Sequence, residues 1–193
     1  MKIKNIFILL ISSIFILNCQ GTKSPIEITQ TSVDYPVKLR FNQKTKQLRY
    51  LFLPVEVKIF NNSYLSKQKL ESVRYKYSNT THGGGVSLYK KEKQTLISVG
   101  NEIIPITKGK PINFVISSAH YIEQTQWIQD SLQSYLDELL ISNENIIEIG
   151  SLDEFKSKYP KVLKELTKND TIKFNFDNPK GQGWEVIKIP VKF

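Results

Sequence analysis

The chain has 193 residues, a formal net charge of +9 at pH 7, one cysteine and two histidines. That length suits a single compact domain with its own core, and a lone cysteine excludes an intrachain disulfide. The basic excess is mostly lysine and contains no block of five like charges, which is the pattern of a solvated surface rather than of a nucleic-acid-binding arm.

In chain order, Lys2 and Lys4 precede an apolar run over residues 6–17 that stops at Asn18-Cys19-Gln20. Charge followed by a short apolar stretch is the order of a secretory signal, and the run is shorter than the roughly 20 residues that span a bilayer. The ending Ile16-Leu17-Asn18-Cys19 resembles the lipobox of bacterial lipoproteins, with Asn18 standing where Gly, Ala or Ser is usual. The resemblance covers residues 1–19 alone. It implies that residues 1–18 are removed as a signal peptide and that Cys19 carries the lipid that anchors the protein to the membrane. It also implies sorting to the outer membrane, because Gln20 stands where an Asp would favour inner-membrane retention. Loss of Lys2 and Lys4 lowers the net charge from +9 to +7. On a tethered extracytoplasmic domain, that charge points to an acidic protein partner or anionic headgroups and away from nucleic acid.

Residues 20–35 are polar and small, and with Cys19 they read as a lipidated, flexible tether over residues 19–35. From residue 36 to 193 the expectation is one β-rich domain. Val37, Leu39 and Phe41 alternate with Lys38, Arg40 and Asn42; Val55, Val57 and Ile59 with Glu56 and Lys58; Val73, Tyr75 and Tyr77 with Arg74 and Lys76. Period-two alternation of this kind gives strands with one buried face. Further short strands are expected at residues 86–88, 96–99, 103–106 and 112–116, set apart by Gly, Pro and Asn. The spacing changes at Ile128, Leu132, Tyr135, Leu136 and Leu139, an apolar helical stripe. A short strand at residues 146–149 and a Ser151-x-x-Glu154 capping box follow, with Pro160 set to break the second helix near Tyr159. Residues 172–176 and 187–193 return to period two as a closing hairpin, its last strand an edge because Pro190 has no amide to donate. The fold class is therefore mainly β with a helical insertion (α+β), an immunoglobulin-like or related β-sandwich with helices between residues 121 and 168.

Chemistry is sparse. His82 and His120 stand in no metal-ligand spacing, and a lipidated Cys19 leaves no thiol, so no metal or other cofactor is expected. A serine hydrolase built on Ser117 or Ser118 with His120, or on His82, is the competing catalytic reading. It lacks a nucleophile elbow, and a serine pair between strand and helix is expected to act as a cap or turn. The His82-Gly83-Gly84-Gly85 stretch reads as an exposed loop for partner contact. Lys38, Arg40, Lys58, Arg74, Lys76, Lys173, Lys188 and Lys192 take outward strand positions, with Lys58, Arg74 and Lys76 expected to form a basic face. Trp127 and Trp184 are expected in the core. Together these residues imply a non-catalytic, lipid-anchored binding or assembly module of the cell envelope, of which a toxin-immunity protein is one version.

Overall fold

The computed structural model describes residues 25–62, 68–142, 144–177 and 183–193. Its spine is β3, Gln47–Asn61, a 15-residue strand about 45 Å long at some 3.3 Å per residue. On one edge of β3 lie β1 (Ile26–Thr31) and β2 (Lys38–Asn42), end to end; on the other lies β8 (Ile112–Tyr121). The sheet extends beyond β8 through β5 (Gly83–Glu92) and β6 (Thr95–Val99), and beyond β2 through β9 (Ile146–Glu148), giving seven antiparallel strands. A second antiparallel sheet has the order β11 (Trp184–Pro190), β10 (Thr171–Asp177), β4 (Gln68–Lys76), β7 (Ile104–Ile106).

One face of the large sheet is covered in two halves. Towards the C-terminal end of β3, Val55, Val57 and Ile59 join Phe114 and Ile116 against Leu70, Tyr75, Ile172, Phe174 and Phe176 of the second sheet. Towards its N-terminal end, Leu48, Leu51 and Leu53 join Val37, Leu39 and Phe41 against the helices. Burial of each such side chain contributes about 1.5–3 kcal/mol, so both halves need a cover. A bulge keeps the pattern in phase: Arg40 pairs with Tyr50 but Phe41 with Leu48, so Arg49 is the extra residue and Leu48 stays on the core side.

The helical cover comprises α1 (Gln126–Ser131), α2 (Gln133–Ser142), α3 (Leu152–Lys158) and α4 (Pro160–Thr167). The single helix expected from Ile128 to Leu139 is two, because Leu132 leaves helical geometry at φ −110°, ψ 15°. The Ser151–Glu154 capping box forms as its spacing requires, and Pro160 opens α4 with Tyr159 driven to φ −128°, ψ 52°. Gln129 fastens α1 to the sheet. It is 3% exposed, its Nε2 donates to the carbonyls of Leu48 (2.8 Å) and Ile122 (3.0 Å), and its Oε1 accepts from the Leu48 amide (3.0 Å). One side chain thus replaces a missing strand neighbour.

Part of the expected tether is structured. Residues 26–31 form β1, paired with β3 from Glu56 to Asn61. Ile26 and Ile28 supply the apolar alternation that a polar reading of residues 20–35 overlooks, and both contribute to the sandwich core. The C-terminus closes the same edge: Gln30 Oε1 accepts from the Lys192 amide at 3.0 Å, its Nε2 donates to the Lys192 carbonyl, and Val191 N–H donates to the Asp170 carbonyl at 3.0 Å. Cys19 and the signal-like segment lie outside the described residues, as does most of the turn between β10 and β11.

Candidate functional site

The face of the large sheet turned away from both cores carries an unusual set of side chains near its helical end. Strand pairing aligns Tyr121, Tyr50, Arg40 and Ile146 in one row and Ala119, Phe52, Lys38 and Glu148 in the next. Tyr50 lies 5.7 Å from Tyr121, edge to face, and 6.2 Å from Phe52. The Arg40 guanidinium stacks over Phe52 at 5.0 Å and that of Arg49 over Tyr50 at 5.3 Å. The rings are half-buried and both arginines are exposed. Tyr35, from the β1–β2 connection, reaches across the face to Tyr89 at 6.1 Å, with the Lys38 ammonium 4.8 Å from its ring. Burial alone would lower the Lys38 pKa, but hydrogen bonds to Glu148 and Tyr35 outweigh it and raise the value. Burial, and then the nearby Glu123 carboxylate, push the Tyr121 hydroxyl up. Arg49 pairs loosely with Glu123 at 3.7 Å, whereas Arg40 has no carboxylate partner among the described residues.

The histidine and glycines picked out in the sequence support this face from beneath. Gly83, Gly84 and Gly85 do not form a loop; they open β5 as a bulge, since Gly83 pairs with His120 and Val86 with Ser118. Gly85 sits at φ +106°, where L side chains are strained. A Cβ on Gly84 would stand 2.5 Å from the Tyr50 ring and 2.8 Å from the Ala119 carbonyl, so the glycine is what lets Tyr50 lie flat on the sheet. His82 is buried, and its Nδ1–H donates to the Tyr121 carbonyl at 2.8 Å.

The basic face expected of Lys58, Arg74 and Lys76 does not form as one surface. Lys58 shares the outer face of the large sheet but lies six residues along β3 from Phe52, about 20 Å away. Arg74 and Lys76 point outward from β4 in the other sheet, on the opposite side of the molecule. There Arg74, Lys173 and Lys188 are direct cross-strand neighbours, a like-charge row that weakens pairing. Trp127 and Trp184, expected in the core, are 43% and 62% exposed. Trp127 lies in the first turn of α1 and Trp184 is the first residue of β11, each at an element's start rather than on its buried face.

The catalytic candidates lie elsewhere, at the seam where the cover changes from helices to second sheet. Ser117, Ser118 and His120 belong to β8 rather than to a turn after it, because the strand runs on to Tyr121. Ser118 and His120, two apart on a strand, share its core face. Ser118 Oγ lies 3.0 Å from His120 Nε2 and 3.1 Å from the Leu53 carbonyl. If the hydroxyl donates to that carbonyl, His120 Nε2–H donates to Oγ, which is the reverse of a general base. Tyr75 and Tyr77 stack edge-on against the imidazole at 5.8 and 5.2 Å. The Tyr75 hydroxyl donates to Asp170 at 2.9 Å, and the Ser78 amide donates to the same carboxylate at 2.7 Å. Ser118 and His120 are both 0% exposed. Burial, then the proximity of His82, lower the His120 pKa to about 3, while an interaction with the Leu166 backbone opposes this weakly. Its Nδ1 makes no hydrogen bond of good geometry. Burial raises the Asp170 pKa despite its two donors, and raises those of Tyr75 and Tyr77, the latter to about 12. The cluster is a neutral imidazole packed between rings, with no path for a substrate to the serine.

The aromatic side chains of the outer face went unread in the sequence. The signal was present: over residues 47–55, Tyr50, Phe52 and Pro54 alternate with Leu51, Leu53 and Val55, so the strand is apolar on both faces although only one is needed for a core. Among the described residues, no group of three or more His, Cys, Asp or Glu side chains is placed to hold a metal ion, and no helix is long and apolar enough to cross a membrane. Compared with known proteins, the chain matches no family model, no curated protein and no solved structure.

Proposed function

We propose that this chain is a lipid-anchored, non-catalytic binding module of the cell envelope that engages an acidic protein partner through Arg40, Tyr50, Phe52 and Tyr121. The observation that carries the reading is the stack of Tyr121, Tyr50 and Phe52, crossed by two guanidinium groups on the side of the sheet away from both cores. Tyrosine and arginine dominate binding energy at protein interfaces, whereas lysine-rich surfaces such as the row on the second sheet are poor in it. The rigid sheet beneath holds the rings without further ordering cost. Arg40, without a carboxylate partner among the described residues, sets the sign of the partner's complementary surface. Occlusion of a toxin is one activity such a surface performs.

The test is capture of the lipidated protein with whatever it binds in its native envelope, comparing wild type with Arg40→Glu, Phe52→Ala and, as a control on the opposite face, Arg74→Glu. A partner retained by wild type and Arg74→Glu but lost with Arg40→Glu and Phe52→Ala supports the proposal. Loss with Arg74→Glu alone moves the interface to the second sheet and refutes it.

A further inference from the structure

We infer that the free edge of β6 pairs with β6 of a second copy of this chain, antiparallel about Ile97, so that one sheet runs through both copies. The inference stands independently of the interface proposed above. β6 ends the large sheet: its five residues, Thr95 to Val99, are joined to β5 and to no other strand among the described residues. The β5–β6 turn has two residues, Lys93 and Gln94, and Glu92 pairs with Thr95 across it. In such a hairpin the flanking pair is mutually hydrogen-bonded, and bonded pairs recur at every second residue. Thr95, Ile97 and Val99 therefore turn their amides and carbonyls to β5, while Leu96 and Ser98 turn theirs outward. No backbone group of the described residues pairs with those outward amides and carbonyls.

The other sheet edges are closed to such pairing. β7 and β9 have three residues each, with Pro105 at the centre of β7. β11 carries Lys188 and ends on Pro190, and Gln30 ties β1 to the backbone of Lys192. Brevity, proline, charge and cover are how sheets guard their edges. β6 carries no charge, proline or register shift. Its sequence suits a copy of itself. When Leu96 bonds to Ser98 of the second copy and Ser98 to its Leu96, Ile97 falls opposite Ile97 and Thr95 opposite Val99. Ile97 is 46% exposed, although it shares a row with Lys90 and the core residue Phe114. The two sheets part there, Val86, Leu88 and Val99 facing Leu70, Val73 and Ile104 across an open cleft. A two-fold axis covers Ile97 with its own mate, the self-complementary contact most frequent in homo-oligomers. The charges near the join favour it. Glu92 pairs with Lys90 at 2.6 Å and Lys91 with Glu56 at 2.8 Å, and Glu71 stands on the far wall of the cleft, in the other sheet. Lys93 and Glu102 have no ion-pair partner among the described residues, and this register sets Lys93 opposite Asn101, beside Glu102 of the second copy, at both ends of the join. Antiparallel pairing keeps like faces on one side, so the Arg40, Tyr50 and Phe52 faces of both copies look the same way and act as a bivalent surface.

The experiment follows the mass of the full chain in detergent by sedimentation velocity over a range of micromolar concentrations. Wild type is expected to form a concentration-dependent dimer. Ser98→Pro removes an amide that β5 does not use; it is expected to weaken dimerisation roughly tenfold or more while the far-ultraviolet circular dichroism stays that of wild type. Ile97→Lys sets two ammonium groups opposite each other and has the same effect without a backbone change, so it carries the test if Ser98→Pro fails to fold. The register is read by oxidation in a Cys19→Ser background, where an introduced cysteine is the only thiol. Ile97→Cys forms a disulfide between copies, because facing residues of a non-bonded pair have Cα atoms about 4.5 Å apart. Leu96→Cys, some 7–8 Å from its mate, does not. Equal crosslinking from positions 96 and 97, or a dimer unaffected by both Ser98→Pro and Ile97→Lys, overturns the inference. A chain that is monomeric throughout overturns it as well, and leaves the edge to a strand of a different protein.

Discussion

The buried imidazole at the seam makes the fold acid-sensitive in a calculable way. The fold holds the His120 pKa at about 3, whereas an unfolded histidine titrates near 6.5. Between those values the unfolded chain binds a proton that the native chain does not, so stability rises with pH across the window. It is fully present above about pH 6.5 and is lost as the pH falls towards 3. At about 1.4 kcal/mol per unit, going from neutrality to pH 4.5 costs on the order of 2–3 kcal/mol from this residue alone. Asp170, whose pKa the fold raises, acts in the opposite sense: it disfavours the fold as the pH rises through its own titration, and so returns some stability on acidification. Equilibrium urea unfolding of wild type and His120→Gln separates the two contributions, because glutamine keeps a donor towards Ser118, cannot titrate and leaves Asp170 in place. The wild type loses about 2–3 kcal/mol more than the variant between pH 7.5 and 4.5. Parallel pH profiles would show that His120 is solvated or charged in the native state, and would refute the seam as described.

Three further substitutions probe how the sheet is held. Gln129→Leu leaves the Leu48 amide and carbonyl without their side-chain partner and destabilises by about 2–4 kcal/mol, read as a lower urea midpoint with an unchanged slope. Gly84→Ala places a methyl group against the Tyr50 ring and the Ala119 carbonyl. It costs about 1–3 kcal/mol and weakens partner binding by displacing Tyr50, whereas Gly85→Asn, at the positive-φ position with nothing within 4 Å of a Cβ, leaves binding near wild type. Lys91→Met strands the Glu56 carboxylate, which is 4% exposed and 2.8 Å from the Lys91 ammonium. It costs about 1–3 kcal/mol once the partial exposure of Lys91 is allowed for, and Glu56→Gln in the same background restores part of the loss.

Local rules carried much of the architecture. Val37, Leu39 and Phe41, the Ser151–Glu154 box, Pro160 and the closing hairpin each behave as their spacing requires, because each is fixed by interactions within a few residues or by one buried face. Three features escaped that logic. β1 looked like tether because Ile26 and Ile28 are its only strong apolar signals, and its partner, the far half of β3, is long-range. The break at Leu132, a residue 0% exposed in the core beneath the helices, is a change of backbone geometry that the apolar period, continuous through it, does not encode. The outer face was missed because alternation marks which residues alternate, not which of two apolar faces meets the core. The same blindness to pairing joined Lys58 to Arg74 and Lys76, whose strands lie in different sheets. Ser118 and His120 meet for a reason that is simple once the strand is known to continue: residues two apart on one strand share a face.

The central claim is that the aromatic and arginine face of the large sheet is where the protein meets its partner. Site-specific photocrosslinking in the native envelope tests this most directly, with a photoreactive residue at position 52 and, in a separate protein, at position 173 on the opposite sheet. A crosslinked species from position 52 that is absent from position 173 and abolished by Arg40→Glu is the predicted result. Crosslinking from position 173 with none from position 52 would contradict the account.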